Sequence, residues 1–173
     1  MEQIYKYLEI FVVMAKIIDI SGKEQEIKCI ACAIQKNEVK LPVERIGETE
    51  NFVVEQDFEW PIEGFLIIAS KRHIHSILEF NKDEEKEFFQ VLKRSRKIMK
   101  KVLGIEKVTI VQEEDSQTSH FHVWLFPWHD WMKKRGTKLQ NIKEIMKYSK
   151  ENFSDKKHLE SLRLVGKKLK LEF

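Results

Sequence analysis

The sequence predicts an α+β domain, with an antiparallel sheet of about five strands, one long helix and a helical C-terminal extension. Three observations carry this prediction. Short β-branched and aromatic runs recur through the middle of the chain, such as Phe52-Val53-Val54 and Phe65-Leu66-Ile67-Ile68. One amphipathic segment over about 82–103 has cap residues at both ends. Beyond residue 129 no strand pattern returns, and lysine-rich helical segments follow. At 173 residues the chain suits one domain with its own core.

Taken in order, Ile4, Leu8, Phe11, Val12, Ala15 and Ile18 recur at helical spacing and predict a first helix over about 2–19. A short loop carrying Cys29 and Cys32 comes next. Strands follow over about 42–46, 50–56 and 64–69. In the long helix, Asn81 caps the start, Glu84 stands at the third position and Gly104 ends it. Phe88, Val91, Leu92, Ile98, Met99 and Val102 form its apolar stripe. Strands over about 107–113 and 119–126 complete the sheet, and two or three helices fill 129–170.

Composition excludes several function classes. The six glycines stand apart from one another, with neither a dinucleotide fingerprint nor a Walker loop. The stretch Leu8 to Ile20 is interrupted by Glu9, Lys16 and Asp19 and falls short of the roughly 20 residues that span a bilayer. It has no small-residue cleavage site, so a cytoplasmic protein is expected. Charge is uneven, at net −5 over 1–130 and net +8 over 131–173. A basic tail attracts polyanions, nucleic acid included, although a solvated lysine-rich helix surface is the plainer account.

Two motifs carry chemistry. The chain's two cysteines form Cys29-Ile30-Ala31-Cys32, a spacing suited to metal or redox chemistry in a reducing compartment. Zinc takes about four ligands, commonly thiolate and imidazole, so two histidines elsewhere would have to join. The second motif is Ser119-His120-Phe121-His122-Val123-Trp124-Leu125-Phe126-Pro127. Strand alternation puts His120, His122 and Trp124 on one face and Phe121, Val123 and Leu125 on the other. A neutral imidazole there can be ligand, base or nucleophile.

These segments resemble the histidine triad (HIT) family of nucleotide hydrolases and transferases. Cys29 to Ile34 resembles the opening of bacterial members. Asp57-Phe58-Glu59-Trp60-Pro61-Ile62-Glu63-Gly64, Phe65 to Ser70 and Lys71-Arg72-His73 match without a gap, and His120-x-His122 stands where the triad begins. The resemblance divides the chain into a lead-in over 1–28, a HIT-like domain over 29–128, and a basic helical extension over 129–173 packed on the same domain.

The resemblance implies a nucleotidyl-histidine intermediate on His122, with His120 beside it in the catalytic motif. It implies a structural zinc held by Cys29, Cys32, His73 and His120, with His75 as a substitute. Asp57 matches the residue that binds ribose hydroxyls, and Ile30, Ile34, Phe58 and Ile67 flank the base. Gln117 and Ser119 offer donors to phosphate. Implied substrates are dinucleoside polyphosphates or nucleoside phosphoramidates, and the implied assembly is a homodimer.

Trp124 replaces the third histidine, a position that is glutamine in the galactose-1-phosphate uridylyltransferase branch. The loop 112–119 is short and acidic where the family is glycine-rich. Two other readings stay open. One is a nucleotide sensor without turnover, and the other is an enzyme that processes nucleic-acid ends and docks them through the basic tail.

Overall fold

The computed structural model describes residues 15–18, 24–39, 41–57, 59–114 and 119–173. Among these, β1 (Ala15–Ile18) pairs antiparallel with β2 (Glu24–Ile27). The predicted first helix is therefore corrected over its last residues. The consecutive β-branched Ile17 and Ile18 suit the strand that forms there. Residues 1–14, with Ile4, Leu8, Phe11 and Val12, lie outside the described residues.

The cysteine segment is also corrected, from a loop to a short helix, α1 (Ile30–Gln35). Cys29 caps it, its sulfur accepting from the Cys32 N–H at 3.5 Å. The central sheet runs β3 (Gly47–Glu48), β4 (Phe52–Gln56), β5 (Leu66–Ser70), β7 (His122–Pro127) and β6 (Val108–Val111), all pairs antiparallel. The strand expected over 42–46 does not form. Val43 and Ile46 are buried instead against the last helix, where a Cβ on Gly166 would stand 3.0 Å from Val43 Cγ1 and 3.7 Å from Ile46 Cδ1.

The long helix α2 (Lys82–Leu103) has the predicted bounds. Asn81 Oδ1 accepts from the Asp83 and Glu84 N–H groups, and Glu84 Oε2 accepts from the Asn81 N–H, a closed capping box. Gly104, at φ 64°, ends the helix in the left-handed conformation that glycine adopts without penalty. Phe88, Val91, Ile98 and Met99 of α2 bury against one sheet face, where Phe52, Val54, Leu66, Ile68, Phe121, Val123 and Leu125 form the main core.

The extension forms short 3-10 turns and two helices, α3 (Ile142–Asn152) and α4 (Lys156–Glu172). Val165 and Leu169 of α4 join the main core. Ile142, Ile145 and Met146 of α3 join a second cluster with Ile62, Phe65, Phe126 and Met132. Beyond α4, Phe173 lies so close to β3 that a Cβ on Gly47 would fall on its ring. No helix among the described residues is long and apolar enough to cross a membrane.

Candidate metal centre and nucleotide site

Three elements bring Cys29, Cys32, His73 and His120 together. The capped start of α1 supplies the cysteines, the turn after β5 supplies His73, and the residue before the Phe121 core anchor supplies His120. Their ligating atoms all lie within 4.8 Å of one another. Cys29 Sγ is 3.3 Å from His120 Nδ1, Cys32 Sγ is 3.3 Å from His73 Nδ1, and the two Nδ1 atoms are 3.2 Å apart. Ligands of a tetrahedral zinc ion stand about 3.3–3.8 Å apart, given its bond lengths of about 2.0–2.3 Å. The donor set and its spacing therefore fit a zinc-type ion.

Electrostatics agree with that fit. Burial, with the neighbouring Cys29, pushes the Cys32 thiol up to about 11, so the Cys32 thiol needs a cation nearby to ionise it. Burial also holds His120 below the ordinary imidazole range, which keeps it neutral as a ligand must be. His120 Nε2 donates to the Ser70 carbonyl at 2.6 Å, leaving the Nδ1 lone pair for the cluster. Both ring nitrogens of His120 are thus engaged. His75 stands outside the cluster, with Nδ1 donating to the Ser119 carbonyl at 2.5 Å.

His122 is held differently. Its Nδ1 donates to the His120 carbonyl at 2.9 Å, so Nε2 carries the lone pair. It pairs with Ala69 in the sheet, on the face opposite the main core. Trp124 lies two residues on, 6.0 Å from His122 between ring centroids, and packs edge-on against Phe65 at 5.7 Å. The Trp124 ring is an aromatic wall beside His122, offering one N–H and no acid–base group.

Asp57 follows β4, buried to 4% exposure. Its Oδ1 accepts from the N–H groups of Glu59 and Trp60 at 2.8 and 2.9 Å, which closes the turn toward Gly64. Burial outweighs these bonds and pushes the carboxyl up to about 7. Ile34 is buried on α1, Ile30 is exposed, and Ile67 pairs with Trp124. Phe58 and Gln117 lie outside the described residues. Of the acids in the preceding loop, Glu114 is turned away, accepting from Ser76 Oγ and the Ile77 N–H, both at 2.8 Å.

Sequence reasoning missed several supporting groups. Ser70 receives His120 and, through the same carbonyl, Gln35 Nε2 at 2.8 Å. Arg72 fixes the turn beside His73, donating to both oxygens of buried Glu84 at 3.0 and 2.8 Å. Its position next to the histidine was the available signal. Arg45 and Glu55, bonded at 3.1 Å, were missed too, although a glutamate directly after the apolar run Phe52-Val53-Val54 was visible.

No protein-family model matches the chain. By sequence it is similar to the galactose-1-phosphate uridylyltransferase of Thermotoga maritima, 32% identical over 112 residues. That match covers 60% of this chain and 35% of the relative, so it spans about a third of that protein's length. By structure it is similar to a Zn-bound histidine triad family protein from Mycobacterium smegmatis, with TM-score 0.57 and 21% identity over 82% of this chain and 92% of that one. A HIT-like protein involved in cell-cycle regulation from Bartonella henselae gives TM-score 0.58 and 15% identity, over 84% and 96% of the two chains. A histidine triad nucleotide-binding protein from Sulfolobus tokodaii gives 0.51 and 20%, over 78% and 93%. With its five-stranded antiparallel sheet and the long capped helix α2, the chain has the histidine triad fold.

Proposed function

We propose that the chain is a nucleotide hydrolase or nucleotidyltransferase of the HIT superfamily, working at the α-phosphate through His122. The observation that carries this reading is the His122 tautomer. A backbone carbonyl holds the proton on Nδ1 and leaves the lone pair on Nε2. Nε2 attacks the α-phosphorus and the leaving group departs with the bond electrons. Water or a second acceptor then displaces the nucleotide from the imidazole, so two easier steps replace one hard one.

The residues around His122 have distinct parts. His120 contributes through its carbonyl, which steadies the imidazole. Asp57 faces the ribose, Ile30, Ile34, Phe58 and Ile67 flank the base, and Gln117 and Ser119 donate to phosphate. Trp124 walls the leaving-group side and shifts leaving-group preference. Cys29, Cys32, His73 and His120 hold a structural zinc, which supplies charge that keeps both thiols ionised and ties α1 to the catalytic strand. Dinucleoside polyphosphates and nucleoside phosphoramidates are the proposed substrates. We place the protein in the cytoplasm, where free cysteines persist. A two-fold homodimer suits the edge strand β6, whose Ile110 is 51% exposed.

The test is turnover of a nucleotide panel by the purified protein, with His122→Ala alongside. Nucleoside monophosphate release that falls at least about a thousandfold in the variant is expected. Binding of nucleotide with no turnover by the wild type would replace this reading with that of a sensor.

A further inference from the structure

The turn that carries Asp57 closes around a buried amide with no part in the chemistry above. By strand alternation Gln56 shares a face of β4 with Phe52 and Val54, the face that packs into the main core. Phe52 and Val54 are apolar, but the third position is an amide at 2% exposure. A polar group so placed is costly unless its hydrogen bonds are made. Gln56 makes them to the segment 57–65. Its Nε2 donates to the carbonyls of Asp57 and Ile62, both at 2.9 Å, and of Phe65 at 3.2 Å. Its Oε1 accepts from the Gly64 N–H at 2.9 Å. Gly64 stands at φ 73°, where a side chain is strained, and a Cβ there would lie 2.6 Å from Leu103 Cδ1.

Asp57 is held at both of its main-chain groups by this arrangement. Its N–H donates to the Phe65 carbonyl at 2.7 Å, and its own carbonyl accepts from Gln56. Its side chain commits Oδ1 to the Glu59 and Trp60 N–H groups. A ribose hydroxyl would thus be met by Oδ2, whose direction follows from the main chain that Gln56 grips. The C-terminal extension holds the same turn from outside. Lys150 donates to Glu59 at 3.1 Å, and His129 Nε2 to the Glu63 carbonyl at 2.7 Å. Lys150 and Glu59 are exposed, and an exposed ion pair contributes little. The four bonds of Gln56 are shielded from water, which makes them the stronger hold.

We infer that Gln56 is the positioning residue of the sugar site: it sets the direction of the Asp57 carboxylate, and through it the preference for ribonucleotides over nucleotides that lack the ribose hydroxyls. The inference rests on the nucleotide reading above, with Asp57 at the ribose. A hydroxyl donating to a carboxylate makes a strong bond, and that bond weakens steeply once distance and angle are lost. A displacement of the turn by about 1 Å is enough to lose it. A site built to bond a hydroxyl rejects the analogue without one, because the buried acceptor is left unpaired.

The test is equilibrium binding of the four ribonucleoside monophosphates and their 2′,3′-dideoxy counterparts to the full-length, zinc-loaded protein by calorimetry. Measurement at pH 8 keeps the Asp57 carboxyl, raised to about 7, ionised. For the base that binds tightest, wild type is expected to favour the ribonucleotide on the order of ten- to a hundredfold. Gln56→Met fills the core position without the polar atoms. It should bring the pair within about threefold and leave the dideoxy compound within about twofold of its wild-type affinity. Gln56→Glu keeps an acceptor for Gly64 and loses the donors, so it should fall between. An equal loss for both members of the pair, which a purely structural role predicts, overturns the inference. Discrimination that survives in both variants overturns it as well. Hydrogen exchange on the wild type decides the case in which neither variant folds. There the ribonucleotide should slow the Gly64 amide at least about threefold more than the dideoxy compound does, and equal slowing overturns the inference. Wild type that binds both members of each pair equally overturns the placement of Asp57 at the ribose, and the inference with it. Wild type that binds none of the eight overturns the nucleotide reading itself.

Discussion

The two faces of the central sheet are built on different principles. Under α2 and α4 the face is apolar and aromatic, with Phe80 and Phe121 ring centroids 4.7 Å apart and Phe52 and Phe88 packed around them. Area removed from water holds it, and no one contact decides its geometry. The other face carries Glu55, Ile67, His122 and Trp124, with Asp57 just beyond β4. Its α1 has six residues, too few to persist as an isolated helix. Besides the buried Ala33 and Ile34, what holds α1 there is a short set of directed contacts: the Cys29 cap, Gln35 on Ser70, and the Cys–His cluster. Directed contacts keep the groups around α1 in fixed positions, while the main core and the second cluster around Phe65 and Phe126 supply the stability that such groups cost.

Three experiments would break or sharpen this contrast. On the apolar face, Phe121→Ala should cost about 3–5 kcal/mol in equilibrium urea denaturation, because the aromatic cluster cannot collapse into the gap. A loss under about 1 kcal/mol would mean that this face is not the stabilising one. On the other face, removing metal with a chelator, or Cys32→Ser, should free the α1 amides to exchange with deuterium while the α2 amides stay protected. Uniform loss of protection across both helices would show that the two faces do not separate.

The smallest expected effect concerns Asp57. Its carboxyl is raised to about 7 in the folded chain, so the folded state binds that proton more tightly than the unfolded state does. The resulting stability is fully present below about pH 4 and is lost as pH rises through about 7. Asp57→Asn keeps an oxygen for the Glu59 and Trp60 N–H groups and removes the titration. The variant should gain roughly 1–4 kcal/mol over wild type between about pH 4 and pH 7, measured by denaturation at each pH. An unchanged difference across that range would place the Asp57 carboxyl in a wetter site.

What the sequence revealed follows a physical division. α2 was legible end to end because its signals are local: Asn81 and Glu84 close the start, Gly104 closes the end, and the apolar stripe lies between. The metal cluster was legible because cysteine spacing and the His73 and His120 segments match a known arrangement of donors. The segment 42–46 was misread because Val43 and Ile46 are buried against α4 at Gly166, which lies some 120 residues further along the chain. α1 was misread because six residues give helical periodicity no room to show itself. The expectation of a helix over 2–19 rested on a 3.6-residue period that Ala15 and Ile18 happen to satisfy from within a strand.

Glu84 joins two structures usually treated apart. One carboxylate, 2% exposed, completes the α2 capping box and grips Arg72, the residue next to His73. Occupancy at the metal cluster and order at the start of α2 therefore share a coupling free energy, and such coupling is reciprocal. An ion bound by His73 should slow exchange of the Asp83 and Glu84 amides, and Glu84→Gln, which loosens Arg72 beside His73, should weaken the hold on the ion.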